Sequence, residues 1–191
     1  MAKRYDQMIP LVQKLKPRKI VEVGVHRAMR ASKLCQAALQ YGPVEYVGYD
    51  VFDTMGEDFQ EAALNGKGEP TEREARRRLD QVRGDFTYSF VIGDTRDTLH
   101  GAAVAAHFAF IDGDHRVEAI RGDYLALADT ACVVFDDYYR PDSEGKMPDL
   151  SLYGANQIVD EAREAGRTVE ILPVADKCKC SGVSHLAVVW K

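Results

Sequence analysis

Carboxylates and one histidine follow two apolar runs of the chain directly. The first run, FAFI, ends at Ile111, and the second, VVF, ends at Phe135. The polar residues after them are Asp112, Asp114 and His115, then Asp136 and Asp137. Oxygen ligands of this kind suit Mg²⁺ or another divalent cation, which would relieve the repulsion between crowded carboxylates. An imidazole, whose ordinary pKa is about 6.5, could accept a proton beside them.

We therefore expect a divalent-metal site made by Asp112, Asp136 and Asp137, with catalytic roles for Asp112 and His115. The metal would hold a substrate hydroxyl and lower its pKa, and His115 would take the proton. Asp114 is assigned to the start of the following helix, as a cap. Two alternatives stay open, because Asp136 and Asp137 could form an ordinary turn and His115 could bond locally.

Alternating strands and helices must carry these residues to one place. Apolar runs predict strands at 19–25, 44–49, 86–92, 108–111, 131–135, 168–174 and 185–190. Helical patterns lie between the first six, whereas no clear helix separates the last two. This alternation is typical of an α/β, Rossmann-like, doubly wound sheet with helices on both faces. We expect seven strands, mostly parallel, with an antiparallel last strand, and a ligand cleft at their carboxyl ends.

Three further strand ends carry groups that could bind a ligand. The first strand runs into Glu22-Val-Gly24-Val-His26-Arg27-Ala28, the second ends in Asp50, and the third is followed by Asp94 and Thr95. Gly24 would let the backbone approach a ligand closely, and Asp50 could hold both hydroxyls of a ribose. A single glycine does not make the G-x-G-x-x-G fingerprint of dinucleotide sites. A nucleoside without a diphosphate therefore fits better.

Size and composition favour one domain that spans residues 1–191. The net charge of −5 argues mildly against a nucleic-acid partner, and no apolar run is long enough to predict a membrane span. The first residues contain no apolar stretch typical of a secretion signal. We expect a cytoplasmic protein without disulfides, and a homo-oligomer stays open. A zinc site at Cys178, Cys180 and His185 is a weak alternative, because no C-x₂-C is present.

Three segments stand outside the strand and helix alternation. Residues 1–17 contain an amphipathic helix, and the irregular stretches 51–70 and 138–152 are candidate lids over the cleft. Tyr153 and Asn156, just beyond the second stretch, are candidates for the substrate wall.

Five segments together carry a family resemblance: VEVGV, YVGYD, VIGDT, FAFIDGDH and VVFDDY. They resemble the class I S-adenosylmethionine-dependent methyltransferases, in the branch of metal-dependent O-methyltransferases that includes the catechol and the macrocin and other sugar enzymes. The resemblance spans about residues 18–190 and implies S-adenosylmethionine and Mg²⁺ as cofactors. The cofactor-binding residues it implies are Glu22, Gly24, His26, Ala28, Arg30, Asp50, Val51, Asp94, Thr95 and Asp112. Among them Asp50 would bind the ribose, and Asp94 with Thr95 would flank the adenine.

Two residues depart from the pattern that this resemblance implies. Ala28 stands where a glycine is usual, and Arg30 stands where a small hydroxyl residue is common. Arg30 could pair with the cofactor carboxylate or be a solvated helix residue. The resulting prediction is a metal-assisted O-methyltransferase that acts on a small-molecule or sugar hydroxyl. The alternatives are a non-catalytic module of this fold that binds a nucleoside, and an NAD-type oxidoreductase.

Overall fold

The computed structural model describes residues 3–52, 71–178 and 182–191. Its α-helices are α1 (Met8–Leu15), α2 (Met29–Ala38), α3 (Glu72–Leu79), α4 (Thr95–Thr98), α5 (Val117–Leu127) and α6 (Asn156–Glu164). Short 3₁₀ helices cover Lys3–Gln7 and Leu39–Tyr41. The strands are β1 (Lys19–Val23), β2 (Val44–Asp50), β3 (Phe86–Ile92), β4 (Phe108–Ile111), β5 (Cys132–Arg140), β6 (Thr168–Ile171), β7 (Asp176–Lys177) and β8 (Val183–Trp190).

One mixed sheet holds all of these strands in the order β3-β2-β1-β4-β5-β8-β6. The first five strands are parallel, and β8 runs antiparallel to both β5 and β6. The predicted Rossmann-like sheet is therefore confirmed, and the two-residue β7, which pairs with β8, is an addition to it. The strand order reverses between β1 and β4, which is where open α/β sheets bind ligands.

Apolar side chains of the central strands alternate between two cores, one on each face of the sheet. In β1, Ile20 joins the core formed with α1 and α2, and Val21 joins the core formed with α5 and α6. Val134 and Phe135 of β5 divide between the two cores in the same way. This alternation follows from the two-residue period of a strand and fixes the position of the strand ends. No helix in the described ranges is long and apolar enough to cross a bilayer.

The fifth strand is longer than its apolar run predicts. It continues beyond Phe135 to Arg140, with a shift in its pairing to β8 between Phe135 and Tyr138. The prediction that residues 138–140 belong to a loop is therefore wrong, because β8 supplies a pairing partner along this whole length. Asp137, inside the irregularity, has a positive φ of 55°. Of the other candidate lid, 51–70, residues 53–70 lie outside the described part of the chain.

Asn156 supports the extended end of β5 and is not a substrate-wall residue. Its side chain is buried, accepts the Tyr139 N–H at 2.9 Å and donates to the Tyr139 carbonyl at 2.9 Å. Since β4 pairs with β5 only as far as Phe135, the Asn156 amide replaces a neighbouring strand at this point. Side-chain amides can serve in this way because they offer both a donor and an acceptor.

Replacing Asn156 with alanine should lower the free energy of unfolding by about 2 kcal/mol, since two buried backbone groups of Tyr139 would lose their partners. Urea unfolding would measure the loss. Gln157→Ala is the matched control, because this neighbouring amide bonds outside β5: it donates to the Leu150 carbonyl at 2.8 Å and accepts from the Arg121 guanidinium at 3.5 Å. Equal losses in the two variants would contradict the role given to Asn156.

Candidate active site

The turn after β1 contains residues with positive φ, and the backbone at the end of β4 lies very close to it. Gly24 has φ of 85°, and a Cβ built on it would lie 2.0 Å from the Asp112 carbonyl oxygen. Only glycine fits such a close approach. His26 and Ala28 also have positive φ, 52° at each residue. Ala28 thus adopts a conformation that glycine adopts more easily, which agrees with the departure seen in the sequence.

Asp50 closes this turn from the neighbouring strand. One of its oxygens, Oδ2, accepts the His26 N–H at 2.7 Å, and the other accepts the Phe52 N–H at 2.7 Å. Burial raises the pKa of Asp50, although these backbone donors oppose the shift. The backbone N–H groups of Val25 and Val51 are two further donors to this carboxylate.

Glu22 lies beneath the turn and does not line a ligand surface. It is fully buried, and the Tyr46 hydroxyl donates to it at 2.5 Å. Burial raises the pKa of Glu22 to about 7, while nearby Arg30 opposes the shift. The expectation that Glu22 lines the methionine end of a cofactor is therefore not met, because no part of its carboxylate is accessible.

Arg30 is an internal cation of the site. Its Nη2 lies 2.6 Å from Asp112 Oδ2 and donates to the Gly24 carbonyl at 3.2 Å, while its Nε lies 3.5 Å from Glu22 Oε1. The side chain is only 17% exposed, so the interpretation as a solvated helix residue is wrong. Its donors are directed at protein oxygens, which argues against pairing with a cofactor carboxylate.

The carboxylates after β4 and inside β5 do come together, as their positions in the sequence predict. Asp112 is largely buried and lies beside Asp136. Burial raises the pKa of Asp112 well above its usual range, the Arg30 guanidinium opposes this, and the Asp136 charge adds to it. A buried carboxyl group next to a second one favours its protonated form.

Arg4, in the 3₁₀ helix Lys3–Gln7, is the residue that sequence reasoning missed. Its Nε lies 3.0 Å from Asp136 Oδ1 and its Nη2 lies 2.9 Å from Asp136 Oδ2. The Tyr5 hydroxyl donates to the same Oδ2 at 2.6 Å. More than a hundred residues separate Arg4 from Asp136, and a basic residue in an amphipathic N-terminal segment gives no local signal of such a contact.

His115 and Asp137 form a hydrogen-bonded pair at the mouth of the same cluster. The distance from His115 Nδ1 to Asp137 Oδ2 is 2.8 Å, and the Ser184 hydroxyl donates to Asp137 Oδ1 at 2.9 Å. Partial burial lowers the pKa of His115, but the hydrogen bond and charge of Asp137 outweigh it and raise the pKa to about 9. In turn, His115 and Ser184 hold the pKa of Asp137 below its usual range, against the effect of burial.

These contacts do not fit the predicted divalent-metal site. Within 3–52, 71–178 and 182–191, no group of three or more His, Cys, Asp or Glu side chains is placed to hold a metal ion. The three carboxylates assigned to the metal are close together, yet each already faces a cationic partner: Arg30 for Asp112, Arg4 for Asp136 and His115 for Asp137. We therefore assign no catalytic step to Mg²⁺.

The alternative zinc ligands are not assembled either. His185 Nδ1 lies 2.9 Å from the Leu172 carbonyl oxygen, so this ring nitrogen is directed at the backbone. Cys178 is disulfide-bonded, which contradicts the expectation of a chain without disulfides. Cys180 lies outside the described residues. Cys35 and Cys132 are free and buried.

Asp94 and Asp114 each bond to the residue two positions later. Asp94 is the N-cap of α4 and accepts the Arg96 N–H at 2.9 Å, and the Arg96 guanidinium lowers its pKa. Asp114 accepts the Arg116 N–H at 3.0 Å, but Arg116 itself is the N-cap of α5 and has no side-chain cap, so the prediction that Asp114 caps this helix is wrong. Thr95, the first residue of α4, follows Asp94 at the end of β3.

Comparison with known proteins places this geometry in a family. The family model described as a methyltransferase domain matches residues 21–138, which is more than half of the chain. None of the curated proteins compared with the chain matches it.

Solved structures share the fold at low sequence identity. Cofactor-bound Rv0187 from MTB has a TM-score of 0.68 at 17% identity, over 100% of this chain and 80% of that one. An O-methyltransferase from Bacillus cereus in complex with SAH has a TM-score of 0.64 at 15% identity, with coverage of 100% and 82%. TomG from Streptomyces achromogenes, an O-methyltransferase of tomaymycin synthesis in complex with SAM, has a TM-score of 0.60 at 17% identity, with coverage of 100% and 81%. Because the matched family model covers more than half of the chain, the chain belongs to the methyltransferase domain family.

Proposed function

We propose that this methyltransferase uses S-adenosylmethionine to methylate a hydroxyl group of a small molecule. The proposal rests on one observation: a candidate nucleoside site and a candidate proton acceptor lie along the same edge of the sheet. Asp50 and the turn after β1 offer a nucleoside site, and the His115–Asp137 pair offers a proton acceptor two strands away. Two structures with the same fold, TomG in complex with SAM and the Bacillus cereus O-methyltransferase in complex with SAH, support the choice.

The residues at the nucleoside end fit an adenosyl group. Asp50, at the carboxyl end of β2, is assigned to the two ribose hydroxyls, for which a carboxylate is a suitable acceptor. Asp94 and Thr95, at the end of the adjacent β3, are assigned to the adenine. When bound, S-adenosylmethionine supplies a methyl group on a sulfonium, from which an acceptor oxygen takes the methyl carbon as the carbon–sulfur bond breaks. His26 and Ala28 shape the turn beside this ligand.

His115 is assigned to the proton of the acceptor hydroxyl. Asp137 bonds its Nδ1, and this interaction directs the basic lone pair to Nε2 when the ring is neutral. The side chain is 37% exposed, so an acceptor can reach it. Ser184 holds Asp137, and Asp137 therefore positions the imidazole. Positioning of this kind suits methyl transfer, since the displacement needs alignment more than covalent help from the protein.

Calorimetric titration with S-adenosylmethionine tests the cofactor assignment. Asp50→Asn should weaken binding at least about tenfold, because charge-assisted bonds to two hydroxyls are weakened. Asp129→Asn is the control, since Asp129 is an exposed carboxylate that pairs with Lys191. No binding by the wild-type protein would reject the proposal.

Product formation separates the proposal from its alternatives. A panel of phenols, sugars and other alcohols is incubated with the protein and the cofactor. Mass spectrometry should then reveal a product in which a methyl group has replaced one hydrogen. Binding without any product would favour a non-catalytic nucleoside module. Binding of NADH, followed by its absorbance and fluorescence, would favour an oxidoreductase.

A further inference from the structure

We infer that Arg4 takes the place of a divalent cation in this chain, so that the carboxylates of β4 and β5 are neutralised without a metal. The inference deepens the proposed function by making acceptor activation independent of metal. It disagrees with the branch that the sequence resembles, and the disagreement rests on named contacts of the side chains. Its test measures metal binding alone, and so its failure is distinct from a failure of the proposed function.

The Arg4 guanidinium makes a bidentate contact with the Asp136 carboxylate, which is one of the three predicted metal ligands. Its Nε and Nη2 lie 3.0 and 2.9 Å from the two oxygens of Asp136, and Tyr5 donates a further hydrogen bond to one of them at 2.6 Å. Parallel bonds of this kind match the planar shapes of guanidinium and carboxylate. Both oxygens of Asp136 are therefore engaged, and a cation would have to displace Arg4 to coordinate them.

The two neighbouring carboxylates are balanced by other cations. Arg30 Nη2 lies 2.6 Å from Asp112 Oδ2, and His115 Nδ1 lies 2.8 Å from Asp137 Oδ2. Arg4 Nη2 also lies 3.5 Å from Asp137 Oδ1. Three positively charged groups thus face three carboxyl groups. Adding a doubly charged ion beside these three cationic groups would place like charges next to each other in a poorly solvated site.

Contacts at both ends hold the Arg4 segment in place. The Gln7 amide donates to the Val174 carbonyl at 2.9 Å and accepts the Val174 N–H at 2.8 Å. Arg4 Nη1 lies 3.3 Å from Asp176 Oδ2, and the Arg4 guanidinium carbon lies 4.8 Å from the centre of the Tyr5 ring. Such contacts restrict the side chain before any ligand binds, so its bond to Asp136 costs little additional entropy.

Titration of the full chain with Mn²⁺, followed by electron paramagnetic resonance, tests the inference without any cofactor. The wild-type protein should bind no Mn²⁺ more tightly than about 1 mM. Arg4→Ala should create a site at least tenfold tighter, because Asp136 loses its cation and both of its oxygens become available. Adding Asp136→Asn to that variant should abolish the gain. Lys33→Ala, which removes an exposed cation paired with Asp6 at 3.1 Å, should gain nothing.

Two results would overturn the inference. One is Mn²⁺ binding by the wild-type protein that Asp136→Asn removes, and this measurement decides the question even if Arg4→Ala fails to fold. The other is a folded Arg4→Ala protein that binds Mn²⁺ no better than the wild type. Arg4→Lys is a second variant, expected to retain a charge at Asp136 and to gain no Mn²⁺ site.

Discussion

Replacing Arg30 with methionine should lower the free energy of unfolding by about 3–5 kcal/mol at pH 8, the range for breaking a buried ion pair by removing one partner. Methionine keeps the apolar stem but leaves Asp112 and Glu22 buried without their shared cation. Their contacts with Arg30, at 2.6 and 3.5 Å, are the reason for the size of the effect. Urea unfolding with the wild type as reference would measure it.

The same substitution should cost much less at pH 5. Burial already raises the pKa of Glu22 to about 7, above that of the unfolded chain, and loss of Arg30 should raise it further. A carboxyl group whose pKa is raised in the folded state destabilises the protein as pH rises, because the unfolded chain releases its proton first. At pH 5 the folded protein keeps Glu22 protonated, and the missing cation matters less.

Controls separate this electrostatic effect from a packing effect. Lys33→Met removes an exposed cation from the same helix and should change stability by less than about 0.5 kcal/mol at either pH. Adding Asp112→Asn to Arg30→Met should recover part of the loss, since one buried charge is removed with its partner. A loss that is equal at pH 5 and pH 8, and that Asp112→Asn leaves unchanged, would show that Arg30 acts through packing alone.

Local sequence patterns were sufficient for the sheet and for the ends of its strands. The apolar run of β4 and the polar residues after it define where that strand ends. In the same way, the apolar run of β1 and the glycine after it, Gly24, define where β1 ends. Because parallel strands end along one edge, the meeting of Asp50, Asp112 and Asp136 near one cleft could be expected from position alone. The order of strands then determines which of them are neighbours.

The charge balance of the site could not be predicted in this way. A carboxylate cluster requires a cation, but the sequence does not say whether a metal or a side chain provides it. Arg4 comes from a segment more than a hundred residues away from Asp136, and Arg30 looks like an ordinary helix residue. Likewise, β5 extends through Asp136 and Asp137 because β8 pairs with it, and local polarity predicts an end instead. Long-range contacts decide both features.

The rate of methyl transfer should rise about tenfold per pH unit between pH 7 and pH 8 and level off above about pH 9. His115 can accept a proton only when it is neutral, and its interaction with Asp137 raises its pKa to about 9. At pH 7 only about 1% of the enzyme would therefore carry a neutral imidazole. Initial rates at saturating S-adenosylmethionine, with an acceptor whose own pKa lies well outside this range, would give the profile.

Asp137→Asn should move the midpoint of this profile toward acid pH by about 2 units, because the charge that stabilises the imidazolium is lost while an oxygen remains to hold Nδ1. Asp114→Asn is the matched control, since Asp114 lies next to His115 in the chain but bonds to Arg116. Its midpoint should shift far less. His115→Ala should lose most of the activity and this pH dependence with it. If Asp137→Asn and the wild type share one midpoint, the ionising group of the reaction is not the His115–Asp137 pair, and the proton must leave the acceptor by another route.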